Sequence, residues 1–400
     1  MPSDMGGENP LSMTSAAFAA RWSRGRGGGR GWGGRIVHEG ADGKRVGGRG
    51  GAIAAYRAMV RDGVMRVATD EGGEAGEIRV ERAGIVRMLR EESDEGEVVK
   101  FVQRLPADGV DRERFPHLDI ESVLIPMIGS SGERTYTLCV SSQVGCAMGC
   151  GFCETAQMGL IRSLTVAEIV GQWHAAAHEV GIRPQNIVFM GMGEPLDNIE
   201  AVLGAIEVLT DQVGAGIAMS QITVSTVGRV DGIRRLAEKV REPGWHRLGL
   251  ALSLNAPNDA VRSELMPVNR KWNLAEVQRA LREWPEFAGN KICVEYVLIP
   301  GVNDSMEAAA EVAEFVMPLV DRKGKRRAIV NVIPYNPRRE SPWPAPSEES
   351  VTRFLEELYE HGVFAKRRRT KGRRMMGACG QLGSEEIRRR RLVQVSVPGA

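Results

Sequence analysis

From Arg134 onward, apolar and polar positions alternate in regular blocks. Short strand-like apolar runs stand at Tyr136–Val140, Asn186–Met190, Ile222–Thr226, Leu248–Leu254, Ile292–Leu298 and Ala328–Ile333, with helix-like stretches between them. The clearest helix spans Val166–Val180. Thr165 opens it and Glu168 follows three residues later, the sequence signature of a capping box. Six strands alternating with helices predict a parallel sheet built by right-handed crossovers. A closed eight-stranded barrel needs two more such units, so the fold predicted is α/β, a partial (β/α)6 barrel. Its chemistry is expected at the C-terminal ends of the strands.

Upstream the pattern is weaker. Ala52–Arg61 reads as a helix, and Val98–Leu105 and Ile120–Ile125 read as strands, which suggests a small accessory domain over 51–133. Residues 1–50 hold 14 glycines and little apolar material, and Arg24–Arg35 reads RGRGGGRGWGGR. Such a segment buries too little surface to offset chain entropy, so a disordered Gly/Arg-rich arm is expected. It suits either an RNA-touching arm, a passive tail or a misplaced start. The barrel is assigned to 134–365, and 366–400 form a basic C-terminal segment.

Composition narrows the class. With 42% hydrophobic residues and no apolar run near the ~20 residues of a membrane span, the chain reads as soluble. No apolar signal core stands at the N-terminus, so a cytoplasmic, reducing location is expected. The net charge of +2 is unevenly spread: residues 366–391 hold eleven Lys or Arg against Glu385 and Glu386, leaving the rest net negative. A basic block of that density suits a polyanionic partner; a solvated tail is the plainer alternative.

Three of the six cysteines share one loop after the first barrel strand, as Cys146-Ala-Met-Gly-Cys150-Gly-Phe-Cys153. Thiolates converge on an iron–sulfur cluster from such a loop, and glycines at 145, 149 and 151 let the backbone fold around it. Three ligands leave one iron open to chelate a small molecule. Structural zinc favours four ligands in paired two-spacer motifs. The spacing, with Phe152 before the third cysteine, closely resembles the radical S-adenosylmethionine superfamily. Cys293, in a strand-like run, reads as a buried hydrophobe. Cys139 lies near the end of the first strand. Cys379 lies in a glycine-flanked loop inside the basic block, where guanidinium groups favour a thiolate; for both, packing and chemistry remain open.

The second strand runs into Gly191-Met-Gly-Glu194-Pro195, where glycines admit a close ligand and Glu194 can accept from an amino group. Ser225-Thr226, Ser253-Leu-Asn255 and Asn336 also stand at or just past strand ends, as a ligand laid across the barrel top requires.

The runs Leu138–Cys146, Phe189–Leu196, Ala256–Asp259, Leu265–Asn269 and Ala378–Leu382 together resemble one family over roughly 120–385. It is the radical S-adenosylmethionine RNA methyltransferases that methylate an adenosine ring carbon, at C2 in 23S ribosomal RNA and transfer RNA or, in a relative, at C8. The resemblance implies a 4Fe–4S cluster on Cys146, Cys150 and Cys153. It implies S-adenosylmethionine, two per turnover, held by Gly193, Glu194, Ser225, Ser253, Leu254, Asn255 and Asn336. It makes Cys379 the methylated thiol, Cys139 the resolving thiol and Glu121 the proton acceptor, and it carries a disulfide bond as an expected feature. A monomer with RNA as substrate and an external electron donor such as flavodoxin or ferredoxin is expected. Asn255 stands where the family commonly has His, and the N-terminal region lacks the Phe-Arg-Ala-Lys-Gln-like helix of the ribosomal RNA enzymes. The alternatives are C8 methylation or another RNA, a non-catalytic RNA-binding iron–sulfur protein, and a radical enzyme acting on protein or small molecules.

Overall fold

The computed structural model describes residues 9–23, 38–39, 45–46, 48–71, 74–111, 113, 115, 117–129, 132–287 and 291–383. These divide into two compact units. One comprises residues up to 85 together with 164–185 and 200–218; the other comprises 86–163, 186–199 and 219 onward.

The second unit is built on a ten-stranded sheet whose strands neighbour one another in chain order. They are β1 (Ile85–Ser93), β2 (Gly96–Leu105), β3 (Leu118–Ile128), β4 (Arg134–Cys139), β5 (Asn186–Phe189), β6 (Ile222–Thr226), β7 (Gly249–Ser253), β8 (Ile292–Leu298), β9 (Ala328–Pro334) and β10 (Ala365–Arg367). From β4 to β10 all neighbours are parallel. The six expected strands are β4 to β9, and the α/β partial barrel is as read from the sequence. Inner parallel strands are covered on both faces, so their residues form apolar runs: Val224, Leu250, Leu252 and Val294 are all buried.

Two features differ from expectation. A seventh parallel strand, β10, pairs Val330 with Ala365 and Val332 with Arg367. Strands β2 and β3, expected in a separate domain over 51–133, instead continue the barrel sheet: β3 pairs antiparallel with β4, Leu124 facing Leu138, and with β2. An edge at β4 would leave a row of backbone donors and acceptors without partners, and these strands supply them.

Caps explain the crossover helices of this unit. Asn258 accepts from Val261 N–H to start Asp259–Leu265, Asn273 and Glu276 form a capping box before Leu274–Arg282, and Ser305 and Ser347 cap Met306–Val316 and Glu348–Glu360.

The first unit contains helices Ser15–Ser23 and Gly48–Val60, the hairpin Arg66–Glu71/Glu74–Arg79, and Val166–Ala175. The capping box of Thr165 and Glu168 is present. The helix expected to Val180 changes to a π-helical turn over Ala176–Val180, ended by Gly181 at φ 80°. Ser15–Ser23 falls inside the segment expected to be a disordered arm. It is ordered because Phe18 and Trp22, one turn apart, form an apolar face, and Phe18 meets Tyr56 with ring centroids 5.6 Å apart. The Arg24–Arg35 part of that expectation lies outside the described residues, as do 384–400. No described helix is long and apolar enough to cross a membrane.

Candidate functional site

One cavity of the second unit lies at the C-terminal ends of the parallel strands. Cys146, Cys150 and Cys153 line it from the loop after β4, Gly193 and Glu194 from the loop after β5, Ser225 from β6, Ser253 and Asn255 from the end of β7, and Cys379 from the C-terminal loop. Nine residues singled out from the sequence thus share one space.

The cysteine loop is held at both ends. Cys146 N–H donates to Gly159 O at 3.0 Å, beside the short antiparallel pair of Gln143–Gly145 with Leu160–Ser163. Gly145 has φ 79°, and a Cβ there would stand 1.8 Å from Gly159 O, so only glycine fits. Further on, Gly151 N–H donates to Leu265 O at 2.9 Å and Gly151 O accepts from the buried Arg338 Nε at 2.9 Å. Phe152, Leu265, Met266, Tyr335 and Trp343 close an apolar shell on Cys150. Burial pushes all three thiols up. Among the described residues no three His, Cys, Asp or Glu side chains converge as a single ion demands. Thiolates on a cubane each bind a different iron and need no such convergence, so this donor set fits a cluster.

Glu194 is fully enclosed. Its carboxylate accepts from Leu196 N–H at 3.1 Å and Val227 N–H at 2.9 Å, and its own N–H donates to Gln143 Oε1 at 2.9 Å. Burial raises its carboxyl to about 7, against those hydrogen bonds. Gly191 and Gly193 are required by close approach: a Cβ on either would lie 2.6 Å from Val140 O or Gln143 Cβ. Asn255 has φ 55°, a region that asparagine tolerates better than most side chains. Its Oδ1 accepts from Val297 N–H at 2.9 Å.

Four expected residues lie off this cavity. Leu254 is buried behind it. Asn336 lines a small adjoining cavity with Cys379 and Arg368, its Oδ1 accepting from Arg373 Nε at 3.2 Å. Cys139 is buried at the end of β4, its thiol pushed up to about 12 by burial and then by the neighbouring Cys379. Glu121 is buried on β3; its Oε2 lies 2.8 Å from Lys100 Nζ and accepts from Gly383 N–H at 2.8 Å. All six cysteines are free thiols.

Two charged residues here were not anticipated in these roles. Arg368, read as part of an RNA-facing block, points inward. It stands 3.6 Å from Glu295 Oε2, and the fields of Cys379, Glu295, Cys139 and Cys293 converge on its guanidinium. Burial raises the Cys379 thiol, and Arg368 opposes that rise. Glu295 lines the main cavity from β8, accepting from Asn331 Nδ2 at 2.9 Å and from Cys293 Sγ at 3.2 Å. An acidic residue inside a buried parallel strand was the available sequence signal. Three other cations of the basic block are paired: Arg367 with Glu348, Arg369 and Lys371 with Glu95.

Comparison with known proteins agrees with this geometry. A family model described as the radical SAM superfamily matches residues 140–313. The chain is 42% identical over 274 residues to a protein named probable dual-specificity RNA methyltransferase RlmN 1 of Protochlamydia amoebophila, covering 68% of this chain and 72% of that one. It is 42% identical over 263 residues to the dual-specificity RNA methyltransferase RlmN of Syntrophotalea carbinolica, covering 66% of each. The crystal structure of a radical SAM methyltransferase from Sphaerobacter thermophilus matches with TM-score 0.73 at 34% identity, covering 94% of this chain and 98% of that one.

Proposed function

The chain belongs to the radical SAM RNA methyltransferases, and from that membership we propose that it methylates C2 of an adenine in ribosomal or transfer RNA through a methylated Cys379. The observation that carries the reading is the shared cavity, which unites the three loop cysteines, Glu194, Ser225, Ser253 and Cys379.

When bound, the cluster and S-adenosylmethionine supply radical chemistry, which an aromatic C–H too weakly nucleophilic for ordinary methyl transfer requires. Cys146, Cys150 and Cys153 hold three irons. Glu194 accepts from the amino group of S-adenosylmethionine, and Gly193, Ser225, Ser253 and Asn255 complete its cradle within the cavity, supported by Leu254 and by Asn336 from the adjoining cavity. Cys379 carries the methyl group; Arg368 favours its thiolate against the cost of burial. Two S-adenosylmethionine molecules are consumed per turnover, one for the carried methyl and one for the radical. Once the carbon is joined to adenine, RNA is tethered to Cys379. Cys139, which shares the guanidinium of Arg368 with Cys379, attacks the tethered sulfur; the bond from that sulfur to the methylene carbon breaks, the carbon takes up a proton to become the methyl group, and a Cys139–Cys379 disulfide is left. Glu121 takes the ring proton. A monomer served by an external donor such as flavodoxin or ferredoxin completes the reading.

Nucleoside mass spectrometry on ribosomal and transfer RNA, from cells with and without the gene, tests it. We expect 2-methyladenosine to disappear with the gene and to stay absent when only Cys379→Ala is restored. Loss of 8-methyladenosine instead would move the target carbon; an unchanged profile would sink the reading.

A further inference from the structure

Arg262 lies in the helix Asp259–Leu265 and is completely buried. Its guanidinium holds four acceptors from three loops. Nε donates to Leu254 O at 3.1 Å and Nη1 to Asn269 Oδ1 at 2.8 Å; Nη2 donates to Val227 O at 2.6 Å and to Ser253 O at 3.4 Å. All four are neutral. Among the described residues no carboxylate lies within ion-pair distance of Arg262.

A buried cation bonded only to neutral oxygens carries a desolvation penalty that those bonds offset in part. Cys150 and Asp259 lie near enough that their charges, when ionised, favour the positive form of Arg262. The helix also reaches the cysteine loop directly, since Leu265 O accepts from Gly151 N–H. One end of this element therefore touches the thiol loop, while its arginine grips the carbonyls just past β6 and at the end of β7.

We propose that Arg262 is a positioning residue serving both halves of the site. Its positive charge compensates the thiolate-bound cluster beside Cys150, and its planar fork fixes the strand-end loops that hold S-adenosylmethionine. The inference rests on Cys146, Cys150 and Cys153 being cluster ligands. A reduced cluster carries one more negative charge than an oxidised one, so a fixed nearby cation stabilises the reduced form more and raises the potential. Lysine keeps the charge but presents no planar fork.

The experiment uses the full chain, reconstituted anaerobically, as wild type, Arg262→Gln, Arg262→Lys and Asn269→Ala. Iron and sulfide content is measured first, then the cluster potential by electron paramagnetic resonance titration, then S-adenosylmethionine affinity by calorimetry. A wild type without cluster fails the underlying cluster assignment and leaves these potentials without an object. With cluster present, Arg262→Gln should shift the potential to more negative values. Arg262→Lys should hold the wild-type potential while its dissociation constant for S-adenosylmethionine rises about tenfold. Asn269→Ala, which removes one acceptor and no charge, should lose affinity without moving the potential, and it carries the test if Arg262→Gln does not fold. A wild-type potential in Arg262→Gln, wild-type affinity in Arg262→Lys, or a shifted potential in Asn269→Ala overturns the proposal.

Discussion

Replacing Glu121 with Gln keeps its shape and removes its charge. Lys100 on β2 and Glu121 on β3 form a buried pair, with 5% and 6% of each residue exposed. The pair also anchors the loop carrying Cys379, because Lys100 Nζ donates to Met376 O at 2.9 Å and Glu121 accepts from Gly383 N–H. Removing one partner of such a pair typically costs about 3–5 kcal/mol, because the other charge is left alone. The stranded Lys100 can instead shed its proton, at about 1.36 kcal/mol per pK unit. From an ordinary value of 10.5, that route caps the penalty near about 5 kcal/mol at pH 7 and about 2 kcal/mol at pH 9. In the variant the folded-state pKa of Lys100 lies below the unfolded one, so the folded chain binds fewer protons. Stability therefore rises with pH until the ordinary lysine value is reached. Urea unfolding at pH 7 and pH 9 reads this directly. Glu121→Gln should be strongly destabilised at pH 7 and recover most of the loss at pH 9. Lys100→Met combined with Glu121→Leu should be more stable at pH 7 than either single variant, since no charge is left buried alone, although Met376 O and Gly383 N–H lose their partners. A pH-independent loss in Glu121→Gln, or a double variant as weak as either single one, refutes the reasoning. Methylation retained by the double variant would exclude Glu121 as the proton acceptor.

Four further outcomes are expected. Gly145→Ala should abolish iron binding and cost at least about 3 kcal/mol, from left-handed strain and a Cβ driven into Gly159 O; Gly181→Ala, with φ 80° but open space around its Cβ, should keep iron, as colorimetric assay will show. Because burial holds the Glu194 carboxyl at about 7, calorimetry should show S-adenosylmethionine affinity falling as pH drops below that value, by up to about tenfold per unit; flat affinity from pH 6 to 8.5 would remove Glu194 from the amino-group contact. Lys366 and Arg374 are exposed, so changing both to Ala should weaken RNA binding and flatten its salt slope by roughly one unit per lost phosphate contact, measured by anisotropy. Changing Arg367, Arg368 and Arg369 together should also lower stability, because it strips the ion pairs to Glu348, Glu295 and Glu95. Finally, Cys379→Ala should still release 5′-deoxyadenosine without any covalent adduct, whereas Cys139→Ala should trap a nuclease-sensitive protein–RNA adduct on denaturing gels; an adduct-free Cys139→Ala protein with normal turnover contradicts the two-thiol route.

What could be read from the chain was local, and what could not was set by distant partners. Ile222–Thr226 and Ile292–Leu298 were legible to the residue, because strands covered on both faces are rich in apolar and β-branched residues. The cysteine loop was legible because its ligands are close in sequence. Strand β10 was not: Ala365–Arg367 is three residues long with two exposed cations, and only its register against Val330–Val332 makes it a strand. Charge was the least legible feature. Periodicity assigns an arginine or a lysine to the solvent face, yet Arg262, Lys100 and Arg368 are inward-facing here, on Val227, Glu121 and Glu295 respectively. Each holds a partner at least 20 positions away, which no local window contains. These inward cations stand beside the loops that carry Cys150 and Cys379. An interior cation survives only where carbonyls or a counter-charge repay its lost hydration. A site that gathers several thiolates, a carboxylate at Glu194 and another at Glu295 supplies that counter-charge in quantity. The basic residues of the C-terminal segment therefore split into three physical classes. Arg368, facing the thiols, sets the electrostatics of the cavity, whereas Arg367, Arg369 and Lys371 are tied to Glu348 and Glu95 and the exposed Lys366 and Arg374 are the ones best placed to meet a polyanion.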